Sequence, residues 1–372
     1  MKRGTKLPLL LLLLVFLAGT GYYMLQTPQH PTKPQGITID SILASEQSLR
    51  PAVPSPEKLR FPLDHGVHAE SSGETWRLIG KLKTETGKHL ALEATFVRLK
   101  LTAGQSERQS AWTARQVFLF SWRIMAAGAK PYSDRQQSRE ALGLAGYNSQ
   151  NRKLWVYTRQ MVFGDGNPDQ FAIKLDVPDG TCPLGLEFFT SHSVATPSSA
   201  APIRYYALSR MDARGWVEIA GHKLSVSGQA YFDHTWGPLP ATGGQLVRNN
   251  FVLQLSDGSA IALSQSRRRD GSGKPVNSGF VIQPDDNTMT LEHDGIEILS
   301  DAYWTSSESG IRYPVEWIIR TPNRSILLAV KPWDERLETT DLLTNWSGPI
   351  SISGKLGGKP VTGFGQMQLT GY

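Results

Sequence analysis

The stretch "LIGKLKTETGKHLALEATFVRLKL" (Leu78–Leu101) alternates apolar and polar side chains on both sides of Thr86-Gly87. Two runs of period two, joined by a short turn that ends in glycine, predict a β-hairpin. The same periodicity recurs along the chain. It is present in "RQVFLFSWRIM" (115–125), "KLWVYTRQMVF" (153–163), "QFAIKLDV" (170–177), "IRYYALSRM" (203–211) and "KLSVSGQAYF" (223–232). It continues in "NFVLQLSDGSAIALSQSRRR" (250–269), "RYPVEWIIRTP" (312–322), "SILLAVKP" (325–332) and "VTGFGQMQLTGY" (361–372). Strands this closely spaced, punctuated by Gly, Pro, Asn and Asp, predict an all-β protein of sandwiches or barrels. Only "DRQQSREALG" (134–143) and, more weakly, "DERL" (334–337) read as short helices.

A chain of 372 residues is long for one β-domain, so two domains are expected. With 40% hydrophobic and 19% charged residues it can bury a core and is not intrinsically disordered. An internal repeat supports the division. "WRLIGKLKTETGKHLALEATFVR" (76–98) parallels "NFVLQLSDGSAIALSQSRRR" (250–269): an aromatic-led strand, a polar turn with Gly, an Ala-Leu-centred strand, then Arg. This places one barrel over residues 61–214 and a second over 215–372.

Residues 1–26 read as a targeting segment. Lys2, Arg3 and Lys6 precede an apolar run from Leu7 to Leu25, about the length that spans a bilayer. In "LAGTG" (17–21), Thr20 stands where a lipoprotein signal needs Cys. An uncleaved signal anchor is expected, with the body outside the cytoplasm by the positive-inside rule; a cleaved secretory signal peptide is the alternative. Residues 27–60 are proline-rich and polar, as in a linker. The leader supplies half of the +6 net charge, and no basic stripe interleaved with aromatics is present, so nucleic acid is not an expected partner. Cys182 is the single cysteine, which excludes an internal disulfide, and "DGTCPLG" offers it no base.

Chemistry concentrates in two segments. "FPLDHGVHAESSGETW" (61–76) holds Asp64, His65, His68, Glu70, Glu74 and Trp76; "AYFDHTWG" (230–237) holds Tyr231, Asp233, His234 and Trp236. Three readings stay open. His65, His68 and one carboxylate could form a metal set, since neutral imidazoles suit zinc or iron. Asp233, set among aromatics, could keep a proton through loss of hydration, with His234 handling water. Alternatively, Asp, His and Trp simply tie a strand end by hydrogen bonds. The reading adopted takes Asp233 and His234 as catalytic candidates. His65, His68, Glu74, Trp76, Tyr231 and Trp236 are the ligand-binding candidates, and no metal or cofactor is assigned. No Gly-x-Ser-x-Gly elbow, phosphate-cradling loop or Cys-x-x-Cys motif is present. "SRRRDGSGK" (266–274) reads as a solvated turn. The ten tryptophans supply both core and potential cavity lining.

Several pieces, in order, resemble one family. They are "FPLDHGVHAESSGETWRLIGKL" (61–82), "LGLAGY" (142–147), "YYALSRMDARGWVEIAGHKLSVSGQAYFDHTWG" (205–237), "LQLSDGSAIALSQSRRRDGS" (253–272) and the terminal "WSGPISISG" and "GFGQMQLTGY". The family is the AttH-type, lipocalin-like group that includes carotenoid 1,2-hydratases (hydroxyneurosporene synthases) and predicted secreted hydrolases. The resemblance implies two lipocalin-like β-barrels in tandem, in the periplasm. In the hydratase branch an acid protonates an isoprenoid double bond and water quenches the cation. Carried onto this chain, Asp233 would donate the proton, His234 or His65 would orient water, and Trp76 and Trp236 would face the cation. The family's Glu-Trp-Trp-Tyr stands here as Glu74-Thr75-Trp76-Arg77, and Thr235 replaces its usual acid or amide. Three functions are therefore expected to compete. The first is binding or transfer of an apolar lipid or isoprenoid; the second is a hydratase or hydrolase using Asp233 and His234. The third is an accessory subunit of an ABC-type membrane transport system.

Overall fold

The computed structural model describes residues 59–101, 115–164, 172–190, 192, 203–237, 246–291, 293–322, 325–339 and 344–372. The leader, and all of the linker except Leu59 and Arg60, lie outside the described residues. Among the described residues no helix is long and apolar enough to cross a membrane.

The Leu78–Leu101 stretch forms the expected hairpin. Strands β1 (Gly73–Thr84) and β2 (His89–Lys100) pair antiparallel around a turn at Gly87. There φ is +86°, a value glycine adopts without a Cβ clash. The hairpin continues into β3 (Gln116–Met125), β4 (Tyr132–Arg139), β5 (Ala145–Asn148), β6 (Lys153–Val156) and β7 (Arg159–Phe163). Next come β8 (Ala172–Val177), β9 (Leu184–Phe189), β10 (Arg204–Ile219) and β11 (His222–Gly237). All eleven belong to one sheet, in the order β4-β3-β2-β1-β11-β10-β9-β8-β7-β6-β5. It curls until its two ends approach, and Arg159 of β7 reaches Asp134 of β4 across the gap at 2.9 Å.

The second sheet contains β12 (Leu246–Leu255), β13 (Ala260–Arg268), β14 (Val276–Ile282), β15 (Thr288–Leu291), β16 (Glu297–Thr305), β17 (Arg312–Arg320), β18 (Ile326–Pro332), β20 (Asn345–Leu356) and β21 (Lys359–Thr370). Their order is β15-β14-β13-β12-β21-β20-β18-β17-β16, with the short β19 (Glu338–Thr339) pairing β20. It forms a half-barrel. The repeat read from sequence corresponds to a real equivalence. In each sheet the first hairpin (β1-β2 or β12-β13) pairs through its first strand with the last strand of that sheet.

Three sequence expectations need correction. The first sheet continues through β11, so the chain passes from one sheet to the other between Gly237 and Leu246, not at 214/215. The long strands β10 and β11 pair with each other and with β1, and those backbone hydrogen bonds assign them to the first sheet. Residues 134–143 form no helix: Tyr132–Arg139 is β4, an edge strand paired with β3. Its side chains are almost all polar, so a helix here would have no apolar stripe to bury. The open backbone of β3 offers hydrogen bonds instead. Asp334–Leu337 is likewise not helical.

Alternation along the strands sorts two cores. Trp76, Leu78 and Leu82 of β1, Leu90, Leu92, Ala94 and Phe96 of β2, and Phe232 and Trp236 of β11 point into the first barrel. Residues of opposite parity, Ile79, Ala91, Met125, Ala207 and Tyr231, join a cluster with Val252 and Phe364 of the second sheet. β1 over Leu78–Gly80 and β11 over Ala230–His234 are therefore buried on both faces. Polar bonds join the sheets at the same contact. Glu93 accepts from Ser347 Oγ (3.0 Å) and Gln366 Nε2 (2.7 Å), and Arg123 donates to the Ser347 carbonyl.

Cys182 is fully buried in the first core. Burial, and to a lesser extent the charge of Glu218, push its thiol up to about 11. At pH 8 roughly one thiol in a thousand would be ionised, and thiolate is the reactive form. Iodoacetamide labelling of the folded protein at pH 8 is expected to run more than about 100-fold slower than in urea; mass spectrometry of quenched time points checks it.

Candidate functional site

The segment before β1 makes one 3-10 turn, Leu63–His65, then folds back along the mouth of the first barrel. Trp76 fastens it by donating from Nε1 to the His65 carbonyl at 2.9 Å. Gly66 lies against the Tyr147 ring so closely that a Cβ would meet it at 2.6 Å. This brings Asp64, His65 and His68 over Trp76 of β1, which pairs with His234 of β11. The two segments singled out in the sequence do meet. They meet because β1 and β11 are neighbours in one barrel, not as equivalent parts of two barrels.

The polar groups form a connected chain. His68 Nε2 lies 3.2 Å from Asp64 Oδ1, and its Nδ1 lies 2.8 Å from Glu74 Oε1. The other Glu74 oxygen accepts from Arg98 Nε at 2.8 Å. Arg98 is fully buried and spends its remaining donors on Gln116 Oε1 and the carbonyls of His68 and Ser71. Glu74 and Arg98 thus form a buried, hydrogen-bonded ion pair, the condition under which such charges are tolerated inside a protein.

His234 is fully buried, and its Nδ1 lies 3.0 Å from the Asp64 carbonyl. Burial, then the nearby His68, hold its pKa well below the ordinary imidazole value, so the ring is neutral. A carbonyl only accepts, which puts the ring proton on Nδ1 and leaves a lone pair on Nε2. Among the described residues that Nε2 has no hydrogen-bond partner. His65 is also neutral, pushed down to about 3 by burial and by the Arg152 charge, and its Nδ1 meets the Tyr206 hydroxyl at 2.6 Å. Aromatic rings wall the group. His68 stacks on Trp236 with centroids 4.1 Å apart, and His234 on Trp76 at 4.6 Å. Tyr206 stands edge-on to His234. One donor atom each of His68, Glu74 and His234 lie within 4.8 Å of one another, a grouping suited to a metal ion.

Asp233 and Tyr231 are not in this group. Neighbouring residues of a strand point to opposite faces, so Asp233 leaves β11 on the side away from His234. It meets Arg77 of β1, whose Nε lies 3.2 Å and 3.3 Å from the two carboxylate oxygens and whose Nη2 lies 2.5 Å from one of them. Burial opposes the Arg77 charge, but the attraction of Asp233 and its hydrogen bond outweigh that, so the guanidinium stays protonated. The carboxylate serves as its counter-ion, between the sheets. That geometry replaces the protonated Asp233 expected from sequence with an ion pair, and it separates Asp233 from His234. The hydroxyl of Tyr231 bonds that of Tyr205 on the same face, where it packs against the second sheet.

Of the candidates, His65, His68, Glu74, Trp76, His234 and Trp236 converge. Arg98 and Tyr206 were missed. Arg98 carried a signal: it occupies the inward phase of "LALEATFVRL", where every other residue of that parity is apolar. Tyr206 gave none that separates it from Tyr205.

Removing one partner of a buried pair leaves the other charge uncompensated. Arg77→Ala is expected to cost about 3–5 kcal/mol, and the double variant Arg77→Met/Asp233→Leu much less. Urea unfolding of the wild type and the two variants checks both.

A family profile described as AttH-like matches residues 52–372. No curated protein sequence matches the chain. Among solved structures, a protein designated AttH from Nitrosomonas europaea is similar at 22% identity, with TM-score 0.73. The match covers 87% of this chain and all of that one. Kievitone hydratase from Nectria haematococca is similar at 14% identity and TM-score 0.64, covering 82% and 93% of the two chains. CghA, solved with Sch210972, is similar at 13% identity and TM-score 0.51, covering 80% and 88%.

Proposed function

Because the chain belongs to the AttH-like family, we propose that it is a hydratase-type protein. It takes a largely apolar, unsaturated molecule into the first barrel and adds water across a carbon–carbon double bond. One observation carries this reading. The Asp64–His68–Glu74 string is a hydrogen-bonded chain set against indole and phenol rings, at a barrel whose core is otherwise mostly hydrocarbon. Apolar walls hold a hydrocarbon substrate; a hydrogen-bonded imidazole between two carboxylates can deliver and recover a proton. Protonation of the terminal alkene carbon leaves a tertiary cation, which the faces of Trp76 and Trp236 attract. Water adds to it, and the released proton returns to the string. The kievitone hydratase that shares this fold agrees in reaction class. Asp233 takes no part beyond holding the sheets together.

The second reading keeps the same interior but no turnover: a binding or transfer protein for a lipid or isoprenoid. The leader Lys2–Leu25 supports a place outside the cytoplasm for either reading, and a transport system in the same membrane is the partner it would fit.

The test is incubation with a panel of isoprenoid alkenes in ¹⁸O-labelled water, followed by mass spectrometry. A labelled alcohol is expected. His68→Gln and Glu74→Gln are each expected to lower its rate by about 100-fold to 10,000-fold, and Asp233→Asn to leave the chemical step unchanged in whatever protein folds. Stable alkene binding without labelled product would favour the transfer reading; neither binding nor product would remove both.

A further inference from the structure

We propose that His68, Glu74 and His234 form a binding site for one divalent transition-metal ion of the zinc class. The site shares residues with the proton path above but does not depend on that reading, because affinity for the ion needs no substrate.

The starting observation is the lone pair on His234 Nε2. The ring is fully buried, and that nitrogen meets no partner among the described residues. Buried polar atoms are nearly always satisfied, so an orphan of this kind marks a missing ligand, water or ion. It belongs to a group whose three donor atoms lie within 4.8 Å of one another.

The second observation is how each donor is held from behind. Imidazoles that bind metals usually anchor their other ring nitrogen on a carbonyl or carboxylate, which fixes ring and tautomer. Both imidazoles do so here, and on the same residue. His234 Nδ1 reaches the Asp64 carbonyl at 3.0 Å, and His68 Nε2 reaches the Asp64 carboxylate at 3.2 Å. Arg98 holds Glu74 Oε2, and the His68 backbone N–H holds Oε1 at 2.5 Å, whose other lone pair is the one offered to the ion. The donors offered are thus Nδ1 of His68, Nε2 of His234 and Oε1 of Glu74. Asp64 acts as a positioning residue for both rings.

Chemistry selects the ion. Two imidazoles and one carboxylate match the three-ligand sets of zinc sites that keep a fourth position for water or substrate. Calcium and magnesium prefer all-oxygen shells. Ligand atoms on a tetrahedral zinc ion stand about 3.4 Å apart, given bonds of about 2.0–2.2 Å. The set must therefore contract by at most about 1.4 Å from its widest separation. His68 can supply that movement, since it precedes β1 in a non-strand segment and is partly exposed. The ion would take the place of the direct contact between His68 Nδ1 and Glu74 Oε1. The set differs from the one drawn from sequence: His65 turns its Nδ1 to Tyr206 instead, and His234 takes its place.

The test uses the full-length protein, stripped with a chelator and titrated with Zn²⁺ against a chromophoric competitor, with metal content measured after dialysis. One Zn²⁺ per chain is expected, and Co²⁺ in its place should give the visible bands of a tetrahedral site. His234→Gln and Glu74→Gln should each weaken binding by at least about 10-fold, and Asp64→Asn by about 10-fold to 100-fold. His89→Gln, an exposed histidine on the hairpin, should change nothing. X-ray absorption of the zinc-loaded wild type covers the case in which a variant fails to fold: two imidazoles in the shell support the site, and an all-oxygen shell overturns it. Binding unaffected by His234→Gln, or the absence of stoichiometric Zn²⁺, also overturns it. Stoichiometric Zn²⁺ without labelled alcohol would remove the hydration reading and leave this one. Labelled alcohol from a protein that takes up no Zn²⁺ would do the reverse.

Discussion

Over Ala230–His234 of strand β11 successive side chains leave on opposite faces, and both faces are buried. Most sheet surfaces have a wet side, where an odd charge or imidazole costs little. This part of β11 has none, because one face lines the first barrel and the other packs on the second sheet. Its polar groups therefore depend on partners from other segments. Asp233 finds Arg77, and His234 finds the backbone of Asp64. The remaining organisation follows from these two obligations: one fixes how the sheets meet, and the other how the entry segment closes over the barrel.

The pairing of first strand with last strand makes both possible. β1 lies between its hairpin partner β2 and the terminal strand β11. Residues far apart in sequence thereby become cross-strand neighbours, Trp76 with His234 and Arg77 with Asp233. On the inner face this stacks imidazole on indole, in surroundings dry enough to keep two histidines neutral. On the outer face it builds an ion pair beside the Tyr205–Tyr231 hydroxyl contact. The second sheet repeats the same order of strands, but its inner polar residues satisfy one another. Asn249 donates to Gln265, Gln265 to Asn277, and Tyr372 to Asn249. A similar strand order therefore holds a cluster of histidines and carboxylates in one barrel and a closed amide ladder in the other, so the fold alone does not dictate what its interior carries.

Much of this was legible in the text of the chain, because the information was local. A period of two in Leu78–Leu101 demands a strand pair with one apolar face, and the glycine turn sets its register. The likeness of 76–98 to 250–269 reports an equivalence that the strand order bears out. His68, Glu74 and Trp76 drew attention because their types are crowded within nine residues. What the sequence could not decide was which face of β11 each residue takes relative to partners on other strands, and where one sheet ends and the next begins. Arg77 and Asp233 are 156 positions apart, and no short-range pattern couples them. Proximity to aromatics in the sequence suggested a protonated acid at Asp233, whereas proximity in space to a guanidinium made it a counter-ion. Local periodicity settles the strand and its two faces. Only the tertiary pairing of β1 with β11 settles what each face meets, and a buried charge takes its character from that neighbour.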